Sequence, residues 1–166
     1  MSIQDDYGVI RENFLVGRCP YNIRDIELIQ KFMDVSAILS LQHNECLMRM
    51  NIDYASHERH GQALGLVMAR CPMRDFDLED QRFRLPAAVN LLRDLLQAGH
   101  RVYVHCTLGI NRAPTVVLAY LTVIEGLTIE DALHLIEQGR PGAYLSWDAY
   151  HAYRRDVERQ QLSVTL

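Results

Sequence analysis

Short apolar segments of two different periods alternate along this chain, and that alternation limits the folds open to it. The runs NFLVGRCP, VSAILSLQ and RVYVHC are rich in strand formers, and LVMARCPMRDFD reads as a strand that passes into a loop near Pro72. Between them, NIRDIELIQKF repeats Ile23, Ile26, Ile29 and Phe32 at helical spacing. RLPAAVNLLRDLLQAGH reads as a helix stopped near Gly99, and APTVVLAYLTVIEG as a helix ending at Gly126. TIEDALHLIEQG opens on Thr128 as N-cap with Asp131 at the third helical position, and SWDAYHAYRRDVERQQL gives a last amphipathic helix after Ser146. Residues 44–66 fit no single pattern and read as loop or short helix. Strand alternating with helix predicts an α/β domain with a central, mostly parallel twisted sheet flanked by helices. No repeat or linker divides the 166 residues, so one domain over 1–166 is expected. A chain of this size buries roughly 70% of its unfolded surface and needs neither metal nor disulfide to hold together.

In such sheets ligands bind beyond the carboxyl ends of the strands. Cys106 stands at one of those ends, in VYVHCTLGINRAPTVVLAYL. The backbone must turn sharply over CTLGINR, and Gly109 supplies the positive φ that other residues resist. Amide N–H groups of Thr107, Leu108, Gly109, Ile110, Asn111 and Arg112 then face one concavity, joined by the positive end of the next helix. That is a cradle for one phosphate. A thiol in such a field is held as the thiolate near neutral pH and can attack phosphorus. Arg112 can set two N–H donors on the phosphoryl oxygens. The other cysteines act as controls, because six residues after Cys19, Cys46 and Cys71 stand Asp25, Ile52 and Asp77. The plain alternative is a buried structural cysteine with a surface arginine.

The segment VHCTLGINRAPT resembles the His-Cys-x5-Arg signature of the cysteine-dependent protein tyrosine phosphatase superfamily, dual-specificity branch. Together with IRENFLVGRCPYNIRDIELIQKF, AILSLQHNE and RDFDLEDQRFRLPAAVNLL, it is most similar to the catalytic domain of the plant starch-excess glucan phosphatases, relatives of laforin. The resemblance covers most of residues 8–158. It implies a nucleophile at Cys106, a phosphate clamp at Arg112, and a general acid about 30 residues before the cysteine. Asp75 and Asp77 both qualify by distance. RDFD resembles the acid loop of the glucan phosphatases, where the first aspartate acts, which favours Asp75. His105 is expected to order the loop and support the thiolate, and Phe76 to lie beside the pocket with Asp77. The chain departs from the glucan phosphatases at Leu108 and Asn111, where they carry alanine and glycine. Ala113 replaces a common Ser or Thr whose hydroxyl helps the thiolate leave, a task that Thr115 or a water could take over.

These features predict a phosphate-monoester hydrolase that works through a cysteinyl-phosphate. The leading expectation is a dual-specificity protein phosphatase acting on phosphotyrosine and phosphoserine/threonine. A phosphatase of phosphoglucan, inositol phosphate or phospholipid headgroup is the alternative, and a non-catalytic phosphate-binding module the third reading. The partner is then a phosphorylated protein, carbohydrate or small molecule. Aromatic residues are 8% of the chain, and CLMRMNID has none to stack on sugars, while Tyr144, Trp147 and Tyr150 could form a small platform or lie partly in the core. The net charge of −4 gives no reason to expect nucleic acid as partner. No cofactor or metal is expected, because the histidines are scattered and read as surface residues, and the cysteines lack zinc spacing. MSIQDDYG has no signal-peptide character and no apolar run reaches the ~20 residues of a membrane span, so the expected location is cytoplasmic, with all four thiols free.

Overall fold

The computed structural model describes residues 1–164. Five strands form one sheet: β1 (Tyr7–Arg11), β2 (Phe14–Gly17), β3 (Ala37–Gln42), β4 (Val67–Met73) and β5 (Val102–His105). Their order is β1-β2-β5-β3-β4, with β1 antiparallel to β2 and every other pair parallel. The mostly parallel α/β sheet read from the sequence is therefore present. The antiparallel edge strand β1 is an addition, since YGVIR is too short and mixed to stand out. The helices are α1 (Ile23–Phe32), α2 (Asn44–Arg49), α3 (Tyr54–Ala63), α4 (Leu78–Gln97), α5 (Arg112–Ala119), α6 (Ile129–Gly139) and α7 (Trp147–Val164).

The period of two decides which helix covers which face. Phe14, Val16, Leu39, Leu41, Val102 and Val104 point to one side, into a core built with Leu85, Val89 and Leu92 of α4 and with Val116 and Val117 of α5. Leu15, Ile38 and Tyr103, one residue out of phase, point to the other side and pack on Ile26 and Ile29 of α1. Both faces are covered, so β2, β3 and β5 read as continuous apolar runs and are buried throughout. Each of these buried aliphatic side chains is worth about 1.5–3 kcal/mol of burial.

Among the helices, the sequence reading differs from the structure in three places. Residues 44–66 hold two helices, capped by the side chains of His43, which accepts from Glu45 N, and of Asp53, which accepts from Ser56 N. Helix α4 begins at Leu78, six residues before Arg84, and carries Pro86 inside it. The proline ring sits on an exposed face, and the turns on either side are held by core contacts of Leu85 and Val89. The helix ending at Gly126 widens to a π turn over Tyr120–Ile124. One histidine read as surface is also buried: burial pushes the His57 imidazole below its ordinary pKa, against the opposing pull of Asp53.

Candidate active site

Strand β5 ends at His105, and the chain turns through residues 106–111 into α5. Gly109 has φ +68°, and a Cβ there would lie 2.3 Å from the Gly17 backbone, so both conformation and space require glycine. Residues 17–19 form the floor under the loop, where Cys19 N–H donates to the Thr107 carbonyl at 3.0 Å. Cys106 is buried at the base of the loop. Helix α5 has no side-chain N-cap, which leaves its first N–H groups for an anion.

Arg112 is 2% exposed and has a partner on each terminal nitrogen. Nη1 donates to the Met73 carbonyl at 2.8 Å and to Cys46 Sγ at 3.6 Å, while Nη2 donates to Thr107 Oγ1 at 3.0 Å and meets Asp75 Oδ2 at 3.1 Å. Its Nε is buried and finds no acceptor among the described residues. A buried, charged donor without an acceptor costs free energy that an incoming oxyanion would recover.

Of the two aspartates left open by the sequence, Asp75 is brought to the arginine. The Asp77 side chain instead accepts from Asp80 N at 3.0 Å and caps α4. Phe76 lies between them with φ +57°, a left-handed conformation that costs a β-carbon residue about 1 kcal/mol or more, and the residue is 83% exposed. His105 is buried, and burial pushes its pKa down to about 4. Its Nδ1 lies 3.0 Å from the Cys106 carbonyl; a carbonyl only accepts, so Nδ1 carries the proton. His105 thus acts on the loop as a neutral donor, not as a charge beside the thiol. The Thr115 hydroxyl donates to the Asn111 carbonyl at 2.8 Å and accepts from Ser146 N at 3.0 Å. Its one proton is committed, so it does not replace the hydroxyl missing at Ala113.

Arg140 was not singled out by sequence reasoning. Its Nε donates to the Gly109 carbonyl at 3.1 Å, and its Nη2 donates to the Leu108 carbonyl at 2.8 Å and pairs with Asp6 Oδ1 at 2.6 Å. Holding two carbonyls outward turns the following amides inward. Asn111 makes a second brace: Nδ2 donates to the Tyr144 carbonyl at 3.0 Å, and Oδ1 lies 3.2 Å from Ser146 Oγ, whose single hydroxyl proton is shared between it and Gln81 Oε1. Asn111 is buried, whereas Leu108 stands exposed on the rim. Beside the loop lies a cavity of about 370 Å³ whose lining includes Phe76, Asn111, Tyr144 and Trp147. Tyr150, by contrast, is fully buried and hydrogen-bonds Thr122 at 2.9 Å. No group of three or more His, Cys, Asp or Glu side chains among the described residues has the geometry of a metal site.

A parallel sheet with a cysteine, a glycine-turned loop and a buried arginine at one strand end is the architecture of the cysteine phosphatases. Residues 31–151 match the family model for the dual specificity phosphatase catalytic domain, and the chain belongs to that family. It is 33% identical over 154 residues to the phosphoglucan phosphatase DSP4, amyloplastic, of Castanea sativa, covering 92% of this chain and 40% of that protein. It is 26% identical over 167 residues to laforin of Mus musculus, covering 93% and 50%. The chain thus spans half or less of the length of these relatives. The crystal structure of PTPMT1 in complex with PI(5)P superposes with a TM-score of 0.71 at 18% identity, covering 93% of this chain and 98% of that one, and shows the shared fold.

Proposed function

We propose that Cys106, Arg112 and Asp75 hydrolyse a phosphate monoester through a cysteinyl-phosphate. The observation that carries this reading is the buried Arg112 guanidinium with an unpartnered Nε at the rim of the Cys106 loop. The phosphoryl group takes its place among the loop amides of residues 107–112 and the arginine fork. Cys106 Sγ attacks phosphorus, the P–O ester bond breaks, and the protonated Asp75 carboxyl gives its proton to the leaving oxygen. In the second step the Asp75 carboxylate takes a proton from water, the resulting hydroxyl attacks phosphorus, and the P–S bond breaks. Inorganic phosphate leaves and the thiolate is restored.

The substrate favoured by the site is a phosphorylated carbohydrate rather than a phosphoprotein. Phe76, Tyr144 and Trp147 present aromatic surface next to the loop, and the C–H faces of sugar rings bury apolar area on such surface. The name of the relative from Castanea sativa, a phosphoglucan phosphatase, points the same way for that protein. The test is phosphate release from amylopectin, glucose 6-phosphate, phosphotyrosine and phosphoserine peptides, inositol phosphates and an aryl phosphate, with wild type and Cys106→Ser. The account expects aryl phosphate and phosphoglucan to be hydrolysed and Cys106→Ser to be inactive on both. Turnover of phosphopeptides in preference to every phosphosugar would make this a protein phosphatase instead. Turnover by Cys106→Ser at the wild-type rate would end the cysteine mechanism.

A further inference from the structure

A second cavity of about 380 Å³ lies between α4 and α7, and it shares Leu78 and Asp148 with the aromatic cavity at the loop. The two cavities therefore adjoin, and the near one reaches the Cys106 loop at Asn111. A flat ring pair joins them: Trp147 lines the near cavity, and the exposed His151 ring, stacked on Trp147 at 5.5 Å and 25°, lines the far one. Around the far cavity stand two acids, Glu79 and Asp148, and two arginines, Arg82 and Arg155. Arg82 pairs with Asp156 at 3.4 Å, whereas the side chains of Glu79, Asp148 and Arg155 make no hydrogen bond or ion pair among the described residues.

We infer that this far cavity is a subsite for the sugar units that follow the phosphorylated one in an oligosaccharide chain. The inference rests on the carbohydrate reading of the active site. Two acids against two arginines leave the lining without a dominant sign, which gives a polyanion or a basic peptide no advantage. Carboxylates accept and guanidinium groups donate, and a chain of neutral hydroxyls does both, so it can use the free groups of Glu79, Asp148 and Arg155. The stacked rings supply the apolar floor that a sugar face covers. A cavity of this volume also lies within the range of roughly 300–1,000 Å³ typical of small-molecule sites.

The experiment compares wild type with His151→Ala and Arg155→Ala on an aryl phosphate, glucose 6-phosphate and phosphorylated maltooligosaccharides of increasing length. Both residues are exposed, so the variants are expected to fold, and thermal melting checks it. Wild-type kcat/KM rises with chain length. Each substitution lowers kcat/KM on the longest chain about three- to tenfold, mainly through KM, as loss of one or two hydrogen bonds or a stacking face implies. The same variants keep kcat/KM on the aryl phosphate and glucose 6-phosphate within about twofold. Hydrolysis of glucose 6-phosphate by wild type with no gain from chain length, or equal losses on all substrates, would refute the subsite while leaving the carbohydrate reading intact. Hydrolysis of the aryl phosphate with none of any phosphosugar would refute that reading and the subsite with it.

Discussion

Replacing Arg140 with methionine keeps the apolar stem and removes the guanidinium that holds the carbonyls of Leu108 and Gly109. The fork also loses its 2.6 Å pairing with Asp6, whose remaining neighbour, Arg18 Nε, is 3.9 Å away. Arg140 is 9% exposed, so solvent does not readily replace these bonds. Breaking a buried ion pair from one side costs about 3–5 kcal/mol, because the other partners are left without a donor. Against a total of about 5–15 kcal/mol for a domain, the variant stays folded but with a much smaller margin. The larger effect falls on chemistry. The loop amides that follow Leu108 and Gly109 lose their set, and a misplacement on the scale of 1 Å costs about 100-fold in rate. Urea denaturation gives the stability change, and aryl phosphate hydrolysis with competition by inorganic phosphate gives kcat/KM and oxyanion affinity. The account expects both affinity and kcat/KM to fall, with Arg140→Lys recovering only part, since a single ammonium does not reproduce the fork. An Arg140→Met enzyme with stability within about 0.5 kcal/mol of wild type, the scale of surface substitutions, and unchanged phosphate affinity would refute the brace.

Asp75→Asn is expected to lower kcat by about 10²–10⁴-fold with little change in stability, the loss of a general acid. Asp77→Ala should cost about 1 kcal/mol through the lost cap of α4 and leave kcat largely intact; the reverse pattern in steady-state kinetics would exchange their roles. The pKa of His105 is about 4 against an ordinary 6.5, so below 6.5 the unfolded chain binds a proton that the folded chain refuses. Stability is full above that pH and falls by about 3 kcal/mol as pH drops towards 4; a His105 resonance titrating near 6.5 in the folded protein would contradict this. Ala113→Ser adds a hydroxyl in the first turn of α5, and pre-steady-state kinetics should show phosphoenzyme breakdown rising about tenfold, the worth of one hydrogen bond to a charged group.

The strand–loop–helix unit was legible because its signals are local: an apolar run, a glycine at a forced turn and an arginine six residues after the cysteine. That helices flank a mostly parallel sheet followed from the alternation of strand and helix patterns. Arg140 was invisible because its work depends on the return of α6 to the loop 31 residues away, and nothing in LIEQGRPGAY marks it. Asn111 read only as a departure from the glycine of the glucan phosphatases, yet it is committed to Tyr144 and Ser146, partners that only the fold brings near. The aspartate pair divided for a simpler reason. The left-handed turn at Phe76 sends Asp75 to Arg112 and leaves Asp77 to cap α4, and a non-glycine residue in that conformation gives no sequence signal. The start of α4 was placed too late because Pro86 reads as a first-turn residue, where proline is favoured.

The central claim is a covalent bond between phosphorus and Cys106. Rapid acid quench during turnover of an aryl phosphate, followed by peptide mass spectrometry, tests it directly. The account predicts one added phosphoryl group on the peptide containing Cys106 in the wild type and none in Cys106→Ser. A fully active enzyme that never carries phosphate on that peptide, or carries it elsewhere, would contradict it.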